Sequence, residues 1–161
     1  MKVLFKGKEL DLIGNQLKKG DTFPNFKAVN LDMSEFDSKQ LSGQRRLIFS
    51  IPTIDSSVCE IETTKFMNKF MKKPYPVVAI SYDLPFAYKR WCSIRNNNRV
   101  ITLSEFRYND FSSKTGTKID ELGLLTRAVF VVDENDKIEY VDYVKEISNE
   151  PNYDEILEHF K

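Results

Sequence analysis

The amino-acid sequence predicts an α/β fold with a β-hairpin added at its front. Continuous apolar runs at Leu47–Ile51 and Pro76–Tyr82 read as strands buried on both faces at a sheet centre. Helical apolar spacing fills the stretches that follow each of them. Near the C-terminus, Asp133-Glu-Asn-Asp136 separates two more extended runs, Ala128–Val132 and Ile138–Val144, as a hairpin turn does.

Each element has its own signal. Residues 2–13 form the leading hairpin, with Val3, Phe5 and then Leu10, Leu12 alternating on either side of Lys6-Gly7-Lys8. Gly20-Asp21-Thr22 and Pro24 mark a loop before a short strand near Phe26–Leu31. Ser38–Leu41 holds one helical turn, ended by Ser42-Gly43, and the strand Leu47–Ile51 follows. Thr63, Phe66, Met67 and Phe70 keep i, i+3, i+4, i+7 spacing on a helix after Cys59. The strand Pro76–Tyr82 leads to a second helix, over residues 84–95, with Leu84, Ala87, Tyr88 and Trp91 on one face. Arg99–Leu103 is a third, weaker strand. Pro151 opens a last helix with Tyr153, Ile156, Leu157 and Phe160 on one face. Strand–helix–strand–helix, then a hairpin and a closing helix, describes a thioredoxin-like α/β sandwich. No repeat, linker or low-complexity segment interrupts it, so one domain over residues 1–161 is expected.

At 161 residues the chain is long enough to bury a core without covalent staples. Lys+Arg and Asp+Glu balance at 24 each, so no net field steers it to nucleic acid or an anionic membrane. The first apolar run has three residues before Lys6, too few for a secretory signal, and no stretch reaches the length of a membrane span. A cytoplasmic location is therefore expected. In that reducing compartment the two cysteines are packing residues, part of a metal site, or a redox couple.

Cys59 ends the segment PTIDSSVC, directly after the apolar strand. Ser57-Val-Cys-Glu60 matches a capping box, which puts Cys59 in the first turn of a helix. There the free N–H groups and the helix dipole favour a thiolate. Glu60 and Glu62 oppose it, so a reactive sulfur requires a cation from elsewhere in the chain. A free cysteine is equally a small buried hydrophobe. The local pattern leaves both readings open.

Other chemistries find less support. There is no C-x-x-C pair, since Cys59 and Cys92 lie far apart in the sequence. Two cysteines and the single histidine, His159, fall short of a four-ligand zinc site, and no Gly-rich phosphate loop is present. Neither metal nor cofactor is expected. Asp83 and Asp133 follow strands and read as caps or turn residues; His159 reads as a charge closing the last helix.

PTIDSSVC resembles the active-site motif of the thiol peroxidases, atypical two-cysteine peroxiredoxins, whose pattern is Pro-x-x-x-Thr/Ser-x-x-Cys. Pro52, Ser56 and Cys59 fill it. The resemblance extends through FKGKELDLIGN, SYDLPFAYKRWC, VITLSEFR, GLLTRAVFVVDEND and EISNEPNYDEIL. It implies a peroxidatic Cys59 that attacks a hydroperoxide, and a Ser56 hydroxyl bonded to the sulfur and the peroxide. Arg127 would be the cation facing the thiolate, and Pro52 would shield it. Read without the resemblance, Pro52 simply ends a strand and Arg127 is an edge residue in solvent. Ser56 stands where the family more often has threonine; the hydroxyl survives, so activity is expected to be retained.

The same resemblance makes Cys92 the resolving cysteine of an intramolecular disulfide, thioredoxin the reductant, and a homodimer the assembly. Two cysteines on separate helices rarely meet the Cα separation of under about 7 Å that a disulfide requires. Local unwinding around Cys59, Cys92 or both is therefore expected. A module of another class, one that senses oxidation or binds a partner with little turnover, would share this fold.

Overall fold

A computed structural model describes all 161 residues. The chain opens with a hairpin, β1 (Lys2–Phe5) and β2 (Lys8–Asp11), and continues through β3 (Lys27–Val29), β4 (Glu35–Asp37) and a 3-10 turn at Ser38–Leu41. β5 (Arg46–Ser50), α1 (Ser57–Lys69), β6 (Val77–Ser81), α2 (Pro85–Arg95) and β7 (Ile101–Ser104) form the expected alternating centre. α3 (Asp110–Thr115), β8 (Ala128–Val132), β9 (Ile138–Tyr143) and α4 (Tyr153–Glu158) complete it.

One seven-stranded sheet has the order β4-β3-β7-β6-β5-β8-β9. β5 and β6 pair in parallel, as do β6 and β7, while β8 runs antiparallel to β5. All five residues of β5, β6 and β8 are buried, which is why their sequences are apolar apart from Arg46, Ser50 and Ser81 at strand ends and do not alternate. Their side chains divide by the two-residue period of a strand. Leu47, Phe49, Val77, Ala79, Val129 and Val131 join Phe66, Phe70 and Trp91 under α1, α2 and α4. Ile48, Val78, Ile80 and Phe130 point the other way, onto Phe23, Phe26 and Phe111. The leading hairpin forms a third cluster, with Val3, Leu10 and Leu12 against Ile119 and Ile147. No helix is long and apolar enough to cross a membrane.

β4 and α3 are additions to the sequence expectation. α3 has six residues and one large apolar anchor, Phe111. Its start is satisfied from a distance, because the buried Glu105 carboxylate accepts from Phe111 N at 3.3 Å and Ser112 N at 2.5 Å. No local cap announces it. β4 is three residues long and exists through its pairing with β3.

Phe66 is the hinge of the aromatic core under α1. Its ring centroid lies 4.8 Å from that of Phe49 and 5.2 Å from that of Tyr153. Phe66→Ala is expected to lower the unfolding free energy by about 3–5 kcal/mol, read from urea unfolding curves; a loss under about 1 kcal/mol would mean that the cavity collapses.

Candidate active site

The site begins with a loop held in place by its neighbour. After β5 the chain crosses Pro52 and Thr53, and Asp83, just past the parallel strand β6, fastens it. Asp83 Oδ2 accepts from Ile54 N at 2.8 Å, and Oδ1 accepts from Thr53 Oγ1 at 2.7 Å. Ser81 Oγ donates to the same carboxylate at 2.6 Å. Asp83 is thus a structural clamp between two loops and not a helix cap, since α2 starts at Pro85 after Leu84, with no side-chain cap. Asp133 is a turn residue, accepting from Asn135 N and Lys137 N, and His159 sits at the end of α4 with Nδ1 2.6 Å from Glu139 Oε2.

The clamp launches α1 one residue earlier than the capping-box pattern predicts. Ser56, not Ser57, is the cap: its backbone is extended (φ −78°, ψ 143°) and its Oγ accepts from Cys59 N at 3.2 Å. Ser57 is already helical and exposed, and Glu60 turns away to pair with Arg95. Cys59 therefore occupies the third helical position, within the first turn as expected. Pro52 is half-buried at the start of the loop.

Cys59 is fully buried, and the cation that its neighbourhood requires is present. Arg127 Nη2 donates to Cys59 Sγ at 3.3 Å. The antiparallel pairing of β8 with β5 sets Ala128 opposite Ser50, so the residue before β8 emerges beside the loop that follows β5. Arg127 is 1% exposed rather than an edge residue in solvent. Its remaining donors are fixed: Nε to Ile147 O at 2.9 Å and Nη1 to Glu62 Oε2 at 2.7 Å.

Glu62 corrects the sequence reading of the acidic pair. It does not simply oppose the thiolate; three residues beyond Cys59, it shares the same helix face and aims the guanidinium. That i, i+3 spacing was the available signal. Glu62 is fully buried and its Oε1 has no partner. Burial pushes its carboxyl up to about 7, against the pull of Arg127. Burial pulls Arg127 down, but the charges of Glu62 and Cys59 and the hydrogen bonds to them leave it above its ordinary value.

Cys92 lies on α2, half-buried, with its sulfur within reach of Asn97 Nδ2 (3.2 Å) and Thr102 Oγ1 (3.6 Å). Both cysteines are free thiols and are not at disulfide distance. The structure thus gathers Ser56, Cys59 and Arg127 into one site and leaves Cys92 apart.

Residues 18–157 match the family model described as Redoxin. The chain is 45% identical over 159 residues to a thiol peroxidase of Clostridium acetobutylicum, covering 98% of this chain and 96% of that one. It is 44% identical over 158 residues to a thiol peroxidase of Oceanobacillus iheyensis, with the same coverage. A peroxiredoxin-like protein from Aquifex aeolicus superposes with a TM-score of 0.92 at 38% identity, over 98% of this chain and 94% of that one. The chain belongs to the redoxin family, among its thiol peroxidases.

In this thiol peroxidase family member, Glu62 carries a pH dependence of known sign. Its carboxyl has an ordinary value of 4.5 and is raised to about 7 in the fold. Across that window the native state keeps a proton that the unfolded chain has released, so stability falls as pH rises. Glu62→Gln removes the titration and keeps an acceptor for Arg127. Its urea midpoint is expected to gain on that of the parent protein from pH 4.5 to 7; a constant gap would show that Glu62 ionises normally.

Proposed function

We propose that this chain reduces hydroperoxides to alcohols or water as a thiol peroxidase, with Cys59 as the peroxidatic and Cys92 as the resolving cysteine. The observation that carries the reading is the fixed guanidinium of Arg127, 3.3 Å from a buried sulfur in the first turn of α1. A thiolate is the effective nucleophile, and both a helix start and a facing cation favour it. It attacks one peroxide oxygen, the O–O bond breaks, and Cys59 becomes a sulfenic acid while the departing oxygen takes up a proton.

The departing oxygen gathers negative charge, which Arg127 is placed to meet. Ser56 Oγ accepts from Cys59 N and so retains its own proton to donate toward sulfur or peroxide. Pro52 closes the loop side and limits water, which strengthens both contacts. Beside α2, a cavity of about 260 Å³ is lined by Ile54, Ala87, Trp91 and Ile94 together with the charged Asp55, Glu60, Arg90 and Arg95.

Cys92 then condenses with the sulfenic acid, releasing water and forming the disulfide. The separation of the two thiols requires α2, α1 or both to open first. A dithiol reductant of the thioredoxin type closes the cycle by thiol–disulfide exchange. Exposed Ile61, Leu84, Phe86 and Ile94 on and beside α1 and α2 support a homodimer packed near this face; the thioredoxin-type reductant fits a cycle in a reducing cytoplasm.

Peroxide-dependent NADPH oxidation, coupled through thioredoxin and its reductase, tests the reading. Sustained turnover is expected, abolished by Cys59→Ser and reduced about 10²–10³-fold in kcat/KM by Arg127→Gln. A single stoichiometric oxidation without turnover would instead make the protein a sensor of oxidation. An Arg127→Gln variant with full activity would remove the guanidinium from the mechanism.

A further inference from the structure

α2 ends beside the Cys92 sulfur. Past Arg95 the chain turns through Asn96 in the left-handed conformation (φ 56°, ψ 41°), and Asn97 N donates back to Cys92 O at 2.8 Å. The turn brings the Asn97 side chain across the helix end. Its Oδ1 accepts from Arg99 N at 3.1 Å and Val100 N at 3.0 Å, and its Nδ2 donates to Val100 O at 3.0 Å. Three bonds thereby fasten this amide to the approach to β7, which belongs to the sheet. The fourth reaches Cys92 Sγ at 3.2 Å, and Thr102 of β7 brings its Oγ1 to 3.6 Å from the same atom.

The two sulfurs are not at bonding distance in this form, and an opening of α2 that brings Cys92 to Cys59 breaks these contacts. A contact made in the closed form and lost in the open one shifts the balance toward closed. A hydrogen bond is worth about a factor of two to ten in such a balance. The sulfenic acid on Cys59 has two fates. With Cys92 it gives the Cys59–Cys92 disulfide and water; with a second hydroperoxide it gives the sulfinic acid and an alcohol or water. Holding α2 closed lengthens the interval in which the second fate competes.

We propose that Asn97, assisted by Thr102, is a latch on Cys92 that sets the partition of the Cys59 sulfenic acid between disulfide and overoxidation. This rests on the roles assigned to Cys59 and Cys92 above. Asn97 is a positioning residue: it has no hydrogen bond to Cys59, Ser56 or Arg127, so it leaves the peroxide-consuming step alone.

Two variants separate the latch from the loop it belongs to. Asn97→Asp keeps the acceptor for Arg99 N and Val100 N and removes the Nδ2 donor, so the bonds to sulfur and to Val100 O are lost together. Thr102→Val removes the second polar contact to the sulfur with little change of shape. Asn98→Asp, at an exposed position with no hydrogen bond to the sulfur, carries the same charge change as a control. Reduced protein is mixed rapidly with hydrogen peroxide, the single tryptophan, Trp91, reports the reaction beside Cys92, and mass spectrometry counts disulfide and sulfinic acid.

The first phase is expected to stay within about two-fold of the parent. The disulfide phase of Asn97→Asp is expected to speed up about two- to ten-fold, with a smaller gain for Thr102→Val. The peroxide concentration that converts half of Cys59 to sulfinic acid rises by the same factor. An unchanged or slower disulfide phase, both phases slowing together, or an equal effect from Asn98→Asp would overturn the latch. A parent protein that forms no Cys59–Cys92 bond at all would instead overturn the cysteine roles, and the latch with them.

Discussion

A guanidinium enclosed in a protein interior holds its place only when its donors are answered, since an unpaired buried charge is severely destabilising. Arg127 meets that condition with a carbonyl, a carboxylate and a sulfur, one on each of Nε, Nη1 and Nη2. The three partners come from different parts of the chain: Ile147 after β9, and Glu62 and Cys59 on α1. The arrangement can form only when β8, α1 and the segment after β9 are all in their native positions. The charge proposed to serve the chemistry is therefore also a lock on the surrounding fold.

Sheet topology explains why these residues meet. β5 and β6 run in parallel and end at Ser50 and Ser81, whereas β8 runs the other way and begins at Ala128. The loop before Cys59, the clamp Asp83 and the cation Arg127 are attached to those three termini, at one end of the sheet. Loops at the carboxyl ends of parallel strands commonly carry function in open α/β sheets. Here an antiparallel strand adds the residue that precedes it, Arg127, to the same end. The fully buried strands beneath keep the geometry rigid, because close-packed cores do not deform gradually.

The two cysteines are held by opposite means. Cys59 is enclosed by a helix start, a cap and an ion pair, all anchored in the core. Cys92 lies near the weak end of a short helix, followed by Asn96-Asn97-Asn98, residues that form helix poorly. Its polar contacts come from one amide and one hydroxyl at the edge of an open cleft. Stability is distributed unevenly in folded proteins, and mobile elements come from its lower end. Those two settings match the roles proposed above, an attacking sulfur in a fixed pocket and a resolving sulfur on a less firmly held element.

The sequence by itself determined the fully buried strands, the apolar faces of α1 and α4, and the position of Cys59 at a helix start; on α2 it placed Tyr88 and Trp91, but Leu84 precedes the helix and is exposed. Periodicity and capping chemistry are local and can be read in order along the chain. Its resemblance to the thiol peroxidases also singled out Pro52, Ser56, Cys92 and Arg127. Tertiary structure alone decided what those residues touch. The cap moved from Ser57 to Ser56 because Asp83, from another strand, fixes where the preceding loop ends. Glu62 changed from an opposing charge to the partner of Arg127, and α3 gained its cap from Glu105, because each contact joins residues with no mutual signal in sequence. Burial and long-range pairing set the electrostatics of such groups, and both arise only when the strands come together.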